Sequence, residues 1–193
     1  MSETICIIDG HPHRDKNHLC HALAEAYKAG AKAAGHKVKT LCLSEMDINF
    51  LRDPADFEKP ASADILKAQK AVSAASHVVV IYPLWMGAMP ALVKAFFEQL
   101  ARGGFALKES EHGWPLKMLK GKSARVIVTM GMPAAAYKIF FGAHGVKSLE
   151  NGILGMAGFK PVRETLIGGV GELSDKRAGA LFGRCRALGA KAS

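Results

Sequence analysis

No apolar run in the 193-residue chain approaches the roughly 18 residues that a membrane-spanning helix needs, so no membrane insertion is expected. The amino terminus lacks a basic segment followed by an apolar one. Met1-Ser2-Glu3-Thr4 runs straight into a β-branched stretch, so no secretory leader is expected and the expected compartment is the cytoplasm. Cysteine is scarce: Cys6, Cys20, Cys42 and Cys185 lie far apart and form no CxxC pair. That spacing argues against a disulfide framework or a zinc ribbon and for buried free thiols. Neither a GxGxxG fingerprint nor a Walker phosphate loop is present, which removes the dinucleotide-fold and nucleoside-triphosphate readings. Acidic residues are also in deficit, 17 against 26 basic ones, a formal net charge of +9. The basic residues are spread along the chain, with no aromatic-interleaved stripe or nucleic-acid motif. Nucleic acid is therefore not an expected partner, and part of the surplus is expected to serve small anionic ligands.

What is present describes one globular domain over 1–193, with 49% hydrophobic and 22% charged residues. Strand-like β-branched runs at 4–9, 37–43, 77–82, 123–129 and 162–167 alternate with helical patterns at 17–34, 63–76, 89–102, 145–156 and 174–188. Gly35 suits the end of the first helix and Ser174 the N-cap of the last. Two long connections, 44–60 and 103–121, read as irregular. Such alternation predicts an α/β fold with a doubly wound parallel sheet, the first strand central and the second nearer an edge.

Ligands of such sheets sit where strands end at their carboxyl side, and here three strand ends draw notice. The run Val78-Val79-Val80-Ile81-Tyr82-Pro83 stops at a proline, turns through Leu84-Trp85-Met86-Gly87, and enters a helix after Pro90. A glycine lets backbone approach a flat ring and the indole covers an edge of it, so this loop suits a planar aromatic cofactor. The first strand opens into Asp9-Gly10-His11-Pro12-His13-Arg14-Asp15-Lys16-Asn17-His18 ahead of a helix. Helix N-terminal amides attract phosphate, and Arg14, Lys16 and His18 add donors. An exposed polar turn is the alternative reading. His11, His13, His18 and His21 raise the question of a metal, with His18 and His21 on one helix face. No carboxylate or cysteine completes a familiar spacing, and no metal site is expected. The fourth strand ends in Thr129-Met130-Gly131-Met132-Pro133, followed by Tyr137 and His144. Its amides, a phenol and an imidazole can stabilise negative charge on a reduced ring; a packed tyrosine and a surface histidine are the alternative.

Taken in order along the chain, these segments resemble the NAD(P)H:quinone reductase family of flavodoxin-like flavoproteins, which includes the drug-modulator-type reductases. The resemblance spans nearly the whole length. It rests on the Gly10-His11-Pro12 loop, the Tyr82-Pro83-Leu84-Trp85 block with Pro90-Ala91-Leu92-Val93-Lys94, and Gly104-Phe105-Ala106. It continues through Leu119-Lys120-Gly121-Lys122-Ser123-Ala124, the Thr129-x-Gly131 loop, and the run from Ile153 to Pro161. The Pro-Leu-Trp block is the most specific of these.

The resemblance implies a flavodoxin-like five-stranded sheet with helices on both faces, and a non-covalent flavin: FMN, with FAD as the alternative. By motif matching, His11, Arg14, Lys16, Asn17 and His18 would hold the phosphate end, and Pro83, Leu84, Trp85, Met86 and Gly87 would line the isoalloxazine. Thr129, Met130, Gly131 and Met132 would meet the pyrimidine side, and Tyr137 and His144 would be the catalytic pair. The implied reaction is two-electron, ping-pong transfer from NADPH or NADH to a quinone or similar flat electrophile, in a homodimer with the active site at the interface. The last helix and the 103–121 segment are candidates for that interface. A flavin-bearing accessory subunit of a potassium-efflux system is the competing implication. Two departures stand out. The family's Thr-Thr-Gly-Gly loop is Thr129-Met130-Gly131-Met132 here, which predicts a greasier pocket, and Lys16 and His18 replace the usual phosphate-loop Ser/Thr and Asn.

Overall fold

The computed structural model describes residues 2–110 and 113–193; two residues of the 103–121 segment, 111 and 112, lie outside the described residues. Strands β1 (Thr4–Asp9), β2 (Lys37–Cys42) and β3 (His77–Pro83) are followed by a small hairpin, β4 (Leu107–Lys108) and β5 (Leu116–Lys117). Strands β6 (Ser123–Thr129) and β7 (Val162–Ile167) complete the set. The main sheet has five strands in the order β2-β1-β3-β6-β7, every neighbouring pair parallel. Burial follows position. β3, at the centre, is buried along nearly its whole length, whereas β2 and β7, at the edges, alternate.

Alternation within each strand builds two cores. Ile5, Ile7, Val79, Ile81 and Ile127 face α1 (Leu19–Ala33) and α6 (Asp175–Lys191). Cys6, Ile8, Val78, Val80, Val126 and Val128 face the other way, toward α2 (Ala63–Ala74) and α3 (Ala91–Leu100). Helices therefore cover both faces, the doubly wound arrangement expected from the sequence. All four cysteines are free; three are buried and Cys42 is half-buried.

Local chemistry sets the element ends. Helix α1 begins at Leu19 rather than at residue 17, because the Asp15 side chain accepts from the Asn17 amide at 3.0 Å and holds a turn there. It ends where Gly35 adopts φ +82°, which a side chain would resist. Ser174 caps α6 by accepting from the Arg177 amide. The structure adds a helix that periodicity did not reveal, α4 (Ala134–Phe141), stopped by Gly142 in the left-handed region. The helix expected over 145–156 is α5 (His144–Lys147) running on as a π-helical turn, Ser148–Gly155.

Candidate active site

The carboxyl ends of β1, β3 and β6 lie side by side in the sheet, so the loops at 10–18, 84–90 and 130–134 converge on one edge. Direct bonds tie them together. The Leu84 amide donates to the Thr129 carbonyl at 2.7 Å, and the rings of His11 and Trp85 meet edge to face at 6.3 Å. Thr129 is buried, and its hydroxyl lies 3.3 Å from the thiol of Cys20 at the start of α1. Burial pushes that thiol up to about 12, so it stays protonated.

In the middle loop, Trp85 and Ala88 exchange two backbone hydrogen bonds of 3.0 Å around Met86 and Gly87, whose φ angles are +50° and +78°. Both central residues are left-handed, the geometry of a tight primed turn. Gly87 takes it without cost; Met86 does not, and its side chain is fully exposed. Trp85 is about half exposed, presenting an indole at the mouth of the cleft. Pro83 ends β3 at its register partner Thr129, and Leu84 packs against the core.

Tyr137 fastens this turn from below. Its side chain is fully buried, and its hydroxyl donates to the Gly87 carbonyl at 2.9 Å. Burial raises the phenol, while the Gly145 and Val146 amides at the head of α5 pull the other way. The hydroxyl thus links α5 to the 85–88 turn and does not stand free in the cleft. His144 is exposed at the first position of α5, its imidazole lying against Gly142. Gly145 passes so close to the turn that a Cβ there would sit 2.1 Å from the Gly87 carbonyl oxygen.

The third loop divides its methionines. Met132 is exposed, but Met130 is 3% exposed and belongs to the hydrophobic core, so the expected greasier pocket receives one methionine, not two. The backbone of the loop is stapled to the end of β7 through the Met130 amide to Ile167 and the Gly169 amide to Met132, at 2.9 and 3.0 Å. Gly131 is exposed with open space beside it, so a ligand ring can approach its backbone.

The first loop is an array of imidazoles. His11 is buried and stacks on His18 at 4.0 Å; burial lowers its basicity, and the nearby His18 lowers it further. His18 N-caps α1 with no side-chain bond to the first turn, which leaves that helix end receptive to an anion. Arg14 and Lys16 reach away from it. The Arg14 Nε donates to the Ser44 carbonyl at 2.9 Å, and Lys16 pairs with Glu45 at 2.5 Å. Asn17 is exposed within the Asp15 turn. The structure therefore brings together His11, His18 and the three loop backbones, and it turns Arg14 and Lys16 toward the 42–45 segment.

Sequence reading missed a pair beneath this loop. Asp9 and His21 are both buried and meet at 2.5 Å, Oδ2 to Nδ1. Their separation in sequence hid them; the one available signal was that a strand's last residue and a helix's first turn face each other in this kind of fold.

Comparison with known proteins agrees with this fold. Residues 3–184 match the family model described as a flavodoxin-like fold. The chain is 27% identical over 185 residues to an uncharacterized NAD(P)H oxidoreductase of Haemophilus influenzae, covering 91% of this chain and 89% of that one. It is 28% identical over 186 residues to NAD(P)H dehydrogenase [quinone] 1 of Cavia porcellus, covering 82% of this chain but 66% of the longer protein. The solved NAD(P)H:quinone oxidoreductase from Methanothermobacter marburgensis superposes with a TM-score of 0.81 at 20% identity, over 99% of this chain and 97% of that one.

Proposed function

The chain belongs to the flavodoxin-like fold family, and we propose that within it this protein is a flavin-dependent NAD(P)H:quinone oxidoreductase. The observation that carries the reading is the convergence of three strand-end loops on one cleft. The cleft offers a half-exposed indole at Trp85, approachable backbone at Gly131, and an uncapped helix N-terminus at His18. The two relatives named for NAD(P)H chemistry match over most of the chain and support the same reading.

These residues fit a flavin. The amides at the head of α1, with His11 and His18 beside them, form a seat for a single phosphate, and the Trp85–Ala88 turn supplies a wall for a flat ring. One such seat favours FMN; FAD, which needs a further place for its adenosine, is the alternative. When bound, the flavin supplies two-electron hydride chemistry, with NADPH or NADH as donor. The protein positions and polarises. Pro83 to Gly87 would line one side of the ring, and Thr129, Gly131 and Met132 would bring backbone to the polar side. Amides near Gly131 would hold negative charge on the reduced ring. Tyr137 acts through the turn it fastens, and the exposed His144 is free to reach a second ligand. Donor and acceptor use the same open place by Trp85 in succession, which gives ping-pong kinetics with a quinone or similar flat electrophile. The protein works as a cytoplasmic homodimer whose subunits meet beside the cleft.

The test is an absorbance spectrum of protein offered FMN or FAD and then desalted. Flavin bands that bleach with NAD(P)H and return with a quinone support the reductase and name the cofactor. A bound flavin that NAD(P)H does not reduce would favour the accessory-subunit role instead. A colourless protein would overturn the flavin reading altogether.

A further inference from the structure

Under the first loop, on its β2 side, a cavity of about 330 Å³ is lined by Asp9, Lys16, His21, Glu25, Thr40 and Cys42. We propose that this cavity is a binding site for a divalent transition-metal ion of the zinc class, held by the Asp9 carboxylate, His21 Nδ1 and the Cys42 sulfur. The proposal is independent of the flavin cleft.

The first support is the state of His21. Its Nε2 lies 2.9 Å from the backbone carbonyl of His13, an acceptor with no proton to give, so Nε2 carries the hydrogen. In the neutral ring Nδ1 is then a bare lone pair, and it faces Asp9 Oδ2 at 2.5 Å. A carboxylate oxygen and a ring nitrogen that close share a proton, and a metal ion, which stands about 2.0–2.2 Å from each ligand atom, takes the proton's place once the two side chains open apart. Metal-binding histidines are commonly held in this way, the second ring nitrogen donating to a carbonyl that fixes the tautomer.

Cys42 supplies the second support. From the end of β2 it brings its sulfur to within 4.8 Å of both the Asp9 and His21 ligand atoms. Zinc takes oxygen and nitrogen ligands at about 2.0–2.2 Å and thiolate at about 2.3 Å. An inward movement of the half-buried Cys42 side chain, together with an opening of the Asp9–His21 contact, closes such a triangle. The Lys16 ammonium now donates to that sulfur at 3.5 Å and also holds Glu45, so it keeps a partner when the sulfur turns to a metal. A third, separate sign is the Thr40 hydroxyl. Its oxygen lines the same cavity, is buried, and has no hydrogen-bond partner among the described residues, a group suited to a metal-bound water in the fourth position. Glu25, one turn after His21 on α1, is within the same lining.

Such an ion would staple β1, α1 and β2 under the loop whose His13 carbonyl orients His21. Binding displaces the proton between Asp9 and His21 and the thiol proton of Cys42, both passing to solvent. The experiment strips the full chain with a chelator, then titrates it with Zn²⁺ against a chromophoric competitor, and records zinc-edge X-ray absorption. One zinc per chain, protons released in proportion, and one sulfur in the first coordination shell are expected. Cys42→Ser should weaken zinc at least tenfold and remove the sulfur signal. The substitution is nearly isosteric at a half-buried position, so this variant remains informative even where His21→Gln disturbs folding. Sub-stoichiometric zinc, a shell without sulfur, or binding that survives Cys42→Ser and is lost in His18→Ala would overturn the proposal. The last outcome would place the ion on the exposed His13–Asp15–His18 group.

Discussion

At the scale of single residues, Tyr137 shows how a site residue can be recognised in sequence while its means of action is not. The phenol after a strand-end loop was legible, but its bond to the Gly87 carbonyl and its neighbours on α5 depend on a helix break at Gly142. Removing the hydroxyl leaves a part-buried carbonyl without its donor, a loss of about 1–2 kcal/mol. In Tyr137→Phe the urea midpoint should fall accordingly and flavin reduction by NADPH, followed by stopped flow, should slow while flavin stays bound. Reduction at the wild-type rate would remove Tyr137 from the mechanism. His77 offers a second residue-scale test, far from the cleft. Its Nδ1 lies 2.8 Å from the Ser123 hydroxyl and its buried Nε2 has no partner among the described residues. Burial first, and the Arg125 and Arg163 charges next, lower it to about 4 from an ordinary 6.5. Above pH 6.5 both folded and unfolded chains are neutral here and His77 contributes nothing to pH dependence. Below that the unfolded chain takes up a proton that the folded chain refuses, so stability falls from pH 6.5 down to about 4. The full effect is about 3 kcal/mol. Urea titrations across that range should flatten in His77→Gln, and an unchanged slope would acquit the residue.

Among elements, the strands were the most legible: β1 and β6, buried on both faces, demand continuous apolar runs, β7 alternates as an edge strand should, and all three span the residues their patterns marked. Helix α4 was not legible, since its large side chains Ile139, Phe140 and Phe141 lie outside and Tyr137 alone is buried, so no apolar stripe announces it. The hairpin β4–β5 is too short to carry a period. Close helix approaches were also invisible, because a glycine inside a helix looks like a weakness until its neighbour is known. At the crossing of α1 and α6, a Cβ on Gly30 would stand 2.0 Å from the Arg186 carbonyl oxygen, and one on Gly189 2.1 Å from that of Tyr27. Gly30 is near the end of α1, away from the strand ends that build the cleft. Gly30→Ala should therefore cost about 1–3 kcal/mol in thermal unfolding yet leave the flavin affinity of the folded protein intact. Gly145→Ala, whose Cβ would strike the Gly87 carbonyl, should do the reverse in emphasis and weaken flavin retention most. Equal effects of the two on flavin binding would contradict the placement of the cleft.

For the whole molecule, the distribution of apolar surface decides how a second copy would dock. Helix α6, a candidate from the sequence, packs on α1 within the same chain, with Cys185 and Gly189 buried at the contact. The exposed apolar side chains lie elsewhere. Phe140 is 80% and Ile139 75% exposed on α4, while Trp114 is 86% exposed in the 103–121 segment. Large aromatic groups left in water are the mark of an interface, and α4 follows directly from the loop that carries Met132. A subunit covering α4 would thus close the cleft beside Trp85, which a single chain leaves open. The formal net charge of +9 opposes self-association, so burial of these apolar side chains has to outweigh that repulsion. Phe140→Asp places a carboxylate in the centre of that contact and should convert dimer to monomer in sedimentation velocity. Quinone turnover should fall with the dimer while the circular dichroism of the fold is kept. A wild-type chain that sediments as a monomer, or a monomeric Phe140→Asp variant with undiminished turnover, would show that one chain completes the site by itself.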